Sequence, residues 1–246
     1  MASFLVQPQD VVADQLTLRG AEAHHLTHVR RVDVGDAVDV VDGQGRWYRG
    51  EVTRIAPGEV ICRVRSSGTE TSGAGVTLCL AAAVIRGPRF DQVIEKATEL
   101  GVDAIVPVIA DRSVAAPAAD RLERWQRVAR AAAKQCGRAR LPELAAPTPL
   151  STVLAGRGTT WDRGVMAVPG ARFGSVRHVI GARVSHSYLL LIGPEGGFSP
   201  AEEEQAVRAG VECFSWGWTT LRAETACLVL AALVLHEAYE SLRCAS

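Results

Sequence analysis

The clearest alternation of apolar and polar positions lies between residues 188 and 239. An apolar run from Tyr188 to Ile192 has the length of one buried strand and stops at Gly193-Pro194-Glu195-Gly196-Gly197, where no helix can continue. Ser199-Pro200-Ala201-Glu202 then supplies an N-cap, a proline at the first helical position and a glutamate three residues after the cap, which predicts a helix running to Gly210. A second strand is predicted from Val211 to Trp216, closed by Gly217 and Trp218. The polar stretch Thr219 to Thr225 leads into an apolar helix from Ala226 to Tyr239. Two glycine-containing loops at the carboxyl ends of neighbouring strands are where open α/β sheets bind ligands.

The first 70 residues follow a different pattern. Short alternating runs, Ala37 to Val41, Trp47 to Ile55 and Val60 to Val64, are separated by Asp42-Gly43 and Pro57-Gly58, which predicts a small β-barrel or meander. A short helical segment before them carries His24, His25, His28, Arg30 and Arg31. His24 and His28 share a helical face, but no C-x-x-C or H-E-x-x-H supplies further ligands, so no metal is expected. Ser66 to Gly75 is polar and glycine-rich and reads as a linker. From residue 76 to 246, strands at Val76 to Val84, Ala104 to Ile109 and Gly164 to Val168 alternate with helices at Phe90 to Leu100, stopped by Gly101, and at 121–140. That alternation predicts an α/β domain with a parallel sheet covered on both faces. The turn Val168-Pro169-Gly170 places a third loop near the two described first.

Charge adds one feature. The chain has 27 Lys+Arg against 27 Asp+Glu, and only Lys96 and Lys134 are lysines. Arginine suits phosphate and base contacts, though a genome biased toward arginine codons gives the same count. More local is the 121–140 helix, where Arg121, Arg124, Arg127, Arg130, Lys134, Arg138 and Arg140 oppose only Glu123. Spacings of three and four put most of these cations on one drifting face, which favours RNA contact over a merely solvated surface. Six scattered cysteines without a C-x-x-C pair suit a reduced, cytosolic protein. No basic segment precedes an apolar one at the N-terminus, and Ala226 to Leu235 is too short to span a bilayer, so a cytoplasmic location without membrane contact is expected.

LLIGPEGGFSPAEEE followed by LRAETACLVLAAL resembles the signature of small-subunit ribosomal RNA uridine-N3 methyltransferases, of the trefoil-knotted SPOUT class. Ile94 to Val102, Lys134 to Arg138 and His25 to Gly35, with Arg31 at the family's arginine, extend the resemblance over nearly the whole chain; Trp218-Thr219-Thr220 departs from it. It implies a PUA-like β-barrel at 1–70, a knotted methyltransferase domain at 76–246, S-adenosylmethionine as donor, a homodimer, and 16S ribosomal RNA in the small subunit as partner. It implies donor contacts at Val168, Pro169, Ile192, Gly193, Glu195, Gly196, Gly217, Thr220, Leu221, Thr225 and Ala226. RNA contacts fall on Arg30, Arg31, Arg86, Lys96, Arg124, Arg127, Arg130 and Arg138.

For the chemistry, Arg222 and Glu224 are the candidates. The uridine N3–H is an acid of pKa roughly 9 to 10 and a free glutamate sits near ~4.3, so a carboxylate alone is a poor base. A fixed arginine that stabilises charge spreading onto O2 and O4 narrows the gap. Glu224 converges with Arg222 only in an irregular loop; Glu99 and Glu195 are the reserve bases, and Glu224 capping the helix while pairing with Arg222 is the alternative. Two other functions stay open: methylation of a 2′-hydroxyl or a guanine N1 in transfer RNA, and a non-catalytic RNA-binding module. Calorimetry with the donor separates the last from the enzymes.

Overall fold

The computed structural model describes residues 3–70, 75–85, 87–113, 121–158, 160–169, 176–181, 185–217 and 219–245. The chain divides into two compact units, one made of Met1–Ser72 with Arg130–Leu141, the other of Gly73–Ala129 with Pro142–Ser246. The segment 130–141, which the sequence pattern leaves in the second domain, thus packs with the first unit.

The first unit holds six strands: β1 (Phe4–Leu5), β2 (Val11–Val12), β3 (Gln15–Arg19), β4 (Ala37–Val41), β5 (Arg46–Ala56) and β6 (Glu59–Thr69), in the order β1-β4-β5-β6-β3-β2. β4, β5 and β6 form consecutive antiparallel hairpins, and their inward residues Val40, Val52, Val60 and Cys62 pack with Leu16, Leu18 and Leu26. The stretch Ser66 to Thr69 belongs to β6 and not to a linker, because it keeps pairing with Arg46 to Arg49. Trp47 stands opposite Gly68, where a Cβ would come within 2.6–2.8 Å of three indole atoms, so this glycine makes room for a ring. The helical segment is α1 (Gly20–His24) continued by a π-turn, His25–Arg30, that ends at Arg31 with φ 53°.

The second unit holds a parallel sheet of β7 (Thr77–Ala83), β8 (Ala104–Ile109), β9 (Glu143–Leu144), β10 (Thr148–Pro149), β11 (Arg163–Ala167), β12 (Ser187–Ile192) and β13 (Glu212–Phe214). The order is β10-β8-β7-β12-β11-β13, with β9 beside β8. Side chains alternate across it. Leu78, Leu80, Tyr188, Leu190 and Ile192 meet α2 (Arg89–Leu100), the start of α3 (Arg121–Cys136), α5 (Val176–Gly181) and α7 (Ala223–Ala245) on one face. Ala81, Ala83, Leu189 and Leu191 meet α4 (Leu150–Leu154) and α6 (Pro200–Arg208) on the other. In β11, Gly164 lies under Trp161 and Val211; a Cβ there would be 2.8 Å from Val211 Cγ2 and 2.9 Å from Trp161 Cζ3.

Two helices differ from their predicted spans. α3 ends at Cys136 because Gly137 takes φ 77°, leaving Arg138 and Arg140 beyond the helix. α7 starts at Ala223, so Glu224 and Thr225 sit in its first turn, and its 23 residues make it long and apolar enough to cross a bilayer. Its buried stripe of Cys227, Leu230, Ala231, Val234 and Ala238 packs instead on α2, α5, β7 and β12, as a core helix does.

Candidate functional site

Because β11, β12 and β13 are adjacent and parallel, the loops after them gather at one edge of the sheet. They enclose a cavity of about 290 Å³. Ala167, Val168 and Pro169 come from the loop after β11; Ile192, Gly193, Pro194, Glu195 and Gly197 from β12 and its loop. Ser215, Trp216, Thr219, Thr220, Leu221 and Arg222 come from the loop after β13, and Ala223, Ala226 and Leu230 from α7. Of the predicted donor contacts, Gly196, Gly217 and Thr225 lie outside this lining. Leu230 and Ala167 were missed because they read as core residues; Trp216 and Ser215 carry no motif signal at all. Gly170, Trp218 and Arg86 fall outside the described residues.

The loop after β12 is held on every side. Ser199 N–H donates to Glu202 Oε2 at 2.7 Å and Glu202 N–H to Ser199 Oγ at 3.3 Å, the predicted capping box. The other oxygen of the buried Glu202 accepts from Asp111 N–H at 2.9 Å, and Ser199 Oγ donates to Asp111 Oδ2 at 2.7 Å. Arg112 Nη1 donates to the carbonyls of Gly196 at 2.7 Å and Phe198 at 3.3 Å. A Cβ at Gly193 would stand 3.1 Å from Phe198 N, so the loop folds back on its own backbone where only glycine fits easily.

The charged groups are arranged otherwise than expected. Arg222 is exposed at the cavity and has no ion-pair partner among the described residues; its carbonyl accepts from Ala226 N–H at 2.8 Å. Glu224 turns not to Arg222 but to Arg89, whose Nη1 lies 3.8 Å from Glu224 Oε1 and 3.7 Å from Glu195 Oε1. The side chain of Glu224 is 17% exposed, and its Oε2 is buried without a hydrogen-bond partner among the described residues. Arg89, at the start of α2, gave no sign in the sequence because the acids it joins are over 100 residues away. One turn along α7, burial pushes the Cys227 thiol up to about 12, with the Glu224 carboxylate adding to the rise. The reserve base Glu99 is bound to Lys96 at 2.8 Å and does not line the cavity. Hydrogen bonds that the Lys96 ammonium donates to the Glu95 and Glu99 carboxylates hold it well above its ordinary range.

The basic helix is partly neutralised by acids from other elements. Arg124 is ion-paired with Asp91 of α2, and Lys134 Nζ sits 2.6 Å from Glu22 Oε1 and 5.7 Å from the Phe4 ring centre. Arg127 and Arg130 are exposed and unpaired among the described residues, Arg138 is half-buried, and Arg30 and Arg31 are exposed in the first unit. No group of three or more metal-ligating side chains occurs among the described residues.

Known proteins can be set beside this geometry. The profile of the RNA methyltransferase domain matches residues 73–235 and that of the RNA methyltransferase PUA domain residues 18–65. A ribosomal RNA small subunit methyltransferase E of Synechocystis is 31% identical over 94% of this chain and 76% of its own length. One from Bacillus subtilis is 28% identical over 95% of this chain and 94% of its own. The crystal structure of the Neisseria gonorrhoeae ribosomal RNA small subunit methyltransferase E bound to S-adenosyl methionine superposes with a TM-score of 0.85 at 27% identity, covering 96% of this chain and 97% of that one.

Proposed function

The chain belongs to the ribosomal RNA small subunit methyltransferase E family, and on that premise we propose that it methylates N3 of a uridine in 16S ribosomal RNA of the small subunit, with S-adenosylmethionine as donor. The observation that carries this reading is the three-loop cavity with Arg222, which has no ion-pair partner among the described residues, on its wall. The cavity suits the donor: its lining is mostly apolar, and Glu195 offers a carboxylate to cationic groups. When bound, the donor supplies a methyl group activated on a sulfonium. Val168, Ile192, Leu221 and Ala226 exclude water from the cavity.

Arg222 directs its guanidinium toward negative charge developing on O2 and O4 of the uracil; Glu224, in the first turn of α7 and outside the cavity lining, takes the N3 proton only by turning its side chain from Arg89 into the cavity. A carboxylate with one oxygen near Arg89 and the other left without a donor retains capacity to accept that proton. The knot in the second unit is what the resemblance to the trefoil-knotted class implies. The first unit is read as a PUA-like β-barrel. Arg30, Arg31, Arg127 and Arg130 are the cations best placed by exposure to meet RNA phosphate. Half-buried Leu228 and Val229 on α7 leave apolar surface for a second copy of the chain. A reduced cytoplasmic protein fits the free cysteines.

An N3 methyl blocks the Watson–Crick edge, so reverse transcription of small-subunit RNA treated with protein and donor should stop at one new position, and nucleoside analysis should show 3-methyluridine. Another methylated nucleoside would replace the proposed target. Replacing Arg127 and Arg130 with Ala should weaken RNA binding and flatten its salt dependence without changing donor affinity. Arg124→Ala should do less, since Asp91 already holds that guanidinium.

A further inference from the structure

The cavity wall built by Ser215, Trp216, Thr219, Thr220 and Leu221 differs in chemistry from the rest. Trp216 stands on it with 45% of its surface exposed, and no ring or cation stacks on its indole among the described residues. Its lining neighbours in sequence, Ser215, Thr219, Thr220 and Leu221, offer hydroxyls, main chain and methyl groups but no charge. Among the lining residues, charge enters only at Glu195 and Arg222.

We propose that Trp216 is the stacking platform for the purine ring of the methyl donor. The proposal rests on S-adenosylmethionine occupying this cavity. A purine is flat, uncharged and apolar on its faces, with hydrogen-bonding groups around its edge; an open indole beside neutral hydroxyls and main chain matches that description. The remaining parts of the ligands need something else. The ammonium and sulfonium of the donor call for a carboxylate, which Glu195 carries, and a uracil gathering negative charge calls for a cation, which Arg222 carries. Neither requirement is met by Ser215, Trp216, Thr219, Thr220 and Leu221. Stacking is also blind to the charge at sulfur, so Trp216 holds the demethylated product as firmly as the donor.

The test is calorimetric titration of the full chain with S-adenosylmethionine, S-adenosylhomocysteine and adenosine, for the wild type, Trp216→Phe, Trp216→Leu and Trp216→Ala. Trp216→Ala should weaken all three by one common factor of roughly tenfold or more, as expected when an aromatic leaves a stacked base. Trp216→Phe, which keeps a ring, should stay within about threefold of wild type while losing part of the tryptophan quenching that adenosine causes. The leucine variant keeps apolar bulk without the ring and decides the matter if the alanine variant does not fold. Wild-type affinity for all three ligands in the leucine and alanine variants would overturn the proposal. So would a higher KM for RNA with donor affinity unchanged, which would assign the indole to the uracil. If the wild-type chain bound none of the three ligands, the donor reading itself would fall, a distinct result from either.

Discussion

The two loops that supply most of the cavity wall are secured in opposite ways. Residues 193–199 are tied by a capping box, by Asp111 and by the guanidinium of Arg112, so their shape exists before any ligand arrives. Across residues 215–222, the only hydrogen bond outside regular elements among the described residues is the one Arg222 accepts from Ala226. A pre-formed wall lowers the ordering cost of binding, whereas a sparsely bonded one settles around its ligand. The first loop is therefore the template, and the second, which carries Trp216 and Arg222, is the part that responds.

Substitutions in the two loops should fail differently. The largest effect is expected from Arg222→Ala, which should slow methylation by roughly 10²- to 10³-fold, as for loss of one charge-stabilising donor, while the melting temperature and donor affinity hold. Reverse-transcription stops over time measure it, and a fall in stability of the kind expected of framework residues would erase the contrast between the loops. Next comes Glu202→Ala, which strips acceptors from the amides of Asp111 and Ser199 and should cost about 2–3 kcal/mol in urea unfolding. An unchanged midpoint would mean the capping network is not what holds the template. Smaller again is Gly193→Ala, whose new methyl meets Phe198 N at 3.1 Å; calorimetry should show donor binding weakened about tenfold, or ~1.4 kcal/mol, against less than about threefold for Thr219→Ala.

A separate effect is confined to alkaline pH. Cys227 ionises near 9.0 when unfolded but only near about 12 when folded, so its contribution to stability is complete below pH 9 and is lost as pH rises toward 12. Cys227→Ala should flatten that part of the stability profile; an unaltered slope would show that the thiol is not buried in the core under α7.

How far each loop could be read in the sequence follows the same division. Ser199 and Glu202 are three residues apart and make their bonds with each other, so the template loop and α6 are written locally. So is the end of α2 at Gly101, whose left-handed φ of 96° stops the helix. Arg89, Asp111 and Arg112 join groups that the strand order alone brings near, and no spacing rule reports strand order. The Ser66–Thr69 stretch looked like a linker because its residues are small and polar, yet pairing with β5 and the Trp47 ring makes it strand. The basic helix looked more uniformly positive than it is, since Asp91 and Glu22, the acids that answer it, lie on other elements.

The position of Gly164 has a historical meaning as well as a mechanical one. With Trp161 buried above it and Val211 beside it, a methyl at 164 meets both neighbours, and trimming either one relieves only part of the clash. The three sites therefore behave as one epistatic group: Gly164→Ala in the present background should be far more damaging than the same change made after Trp161→Leu or Val211→Ala. A side chain at 164 is therefore admitted only after its neighbours have been made smaller, so the order in which these substitutions are made decides whether the fold survives each step.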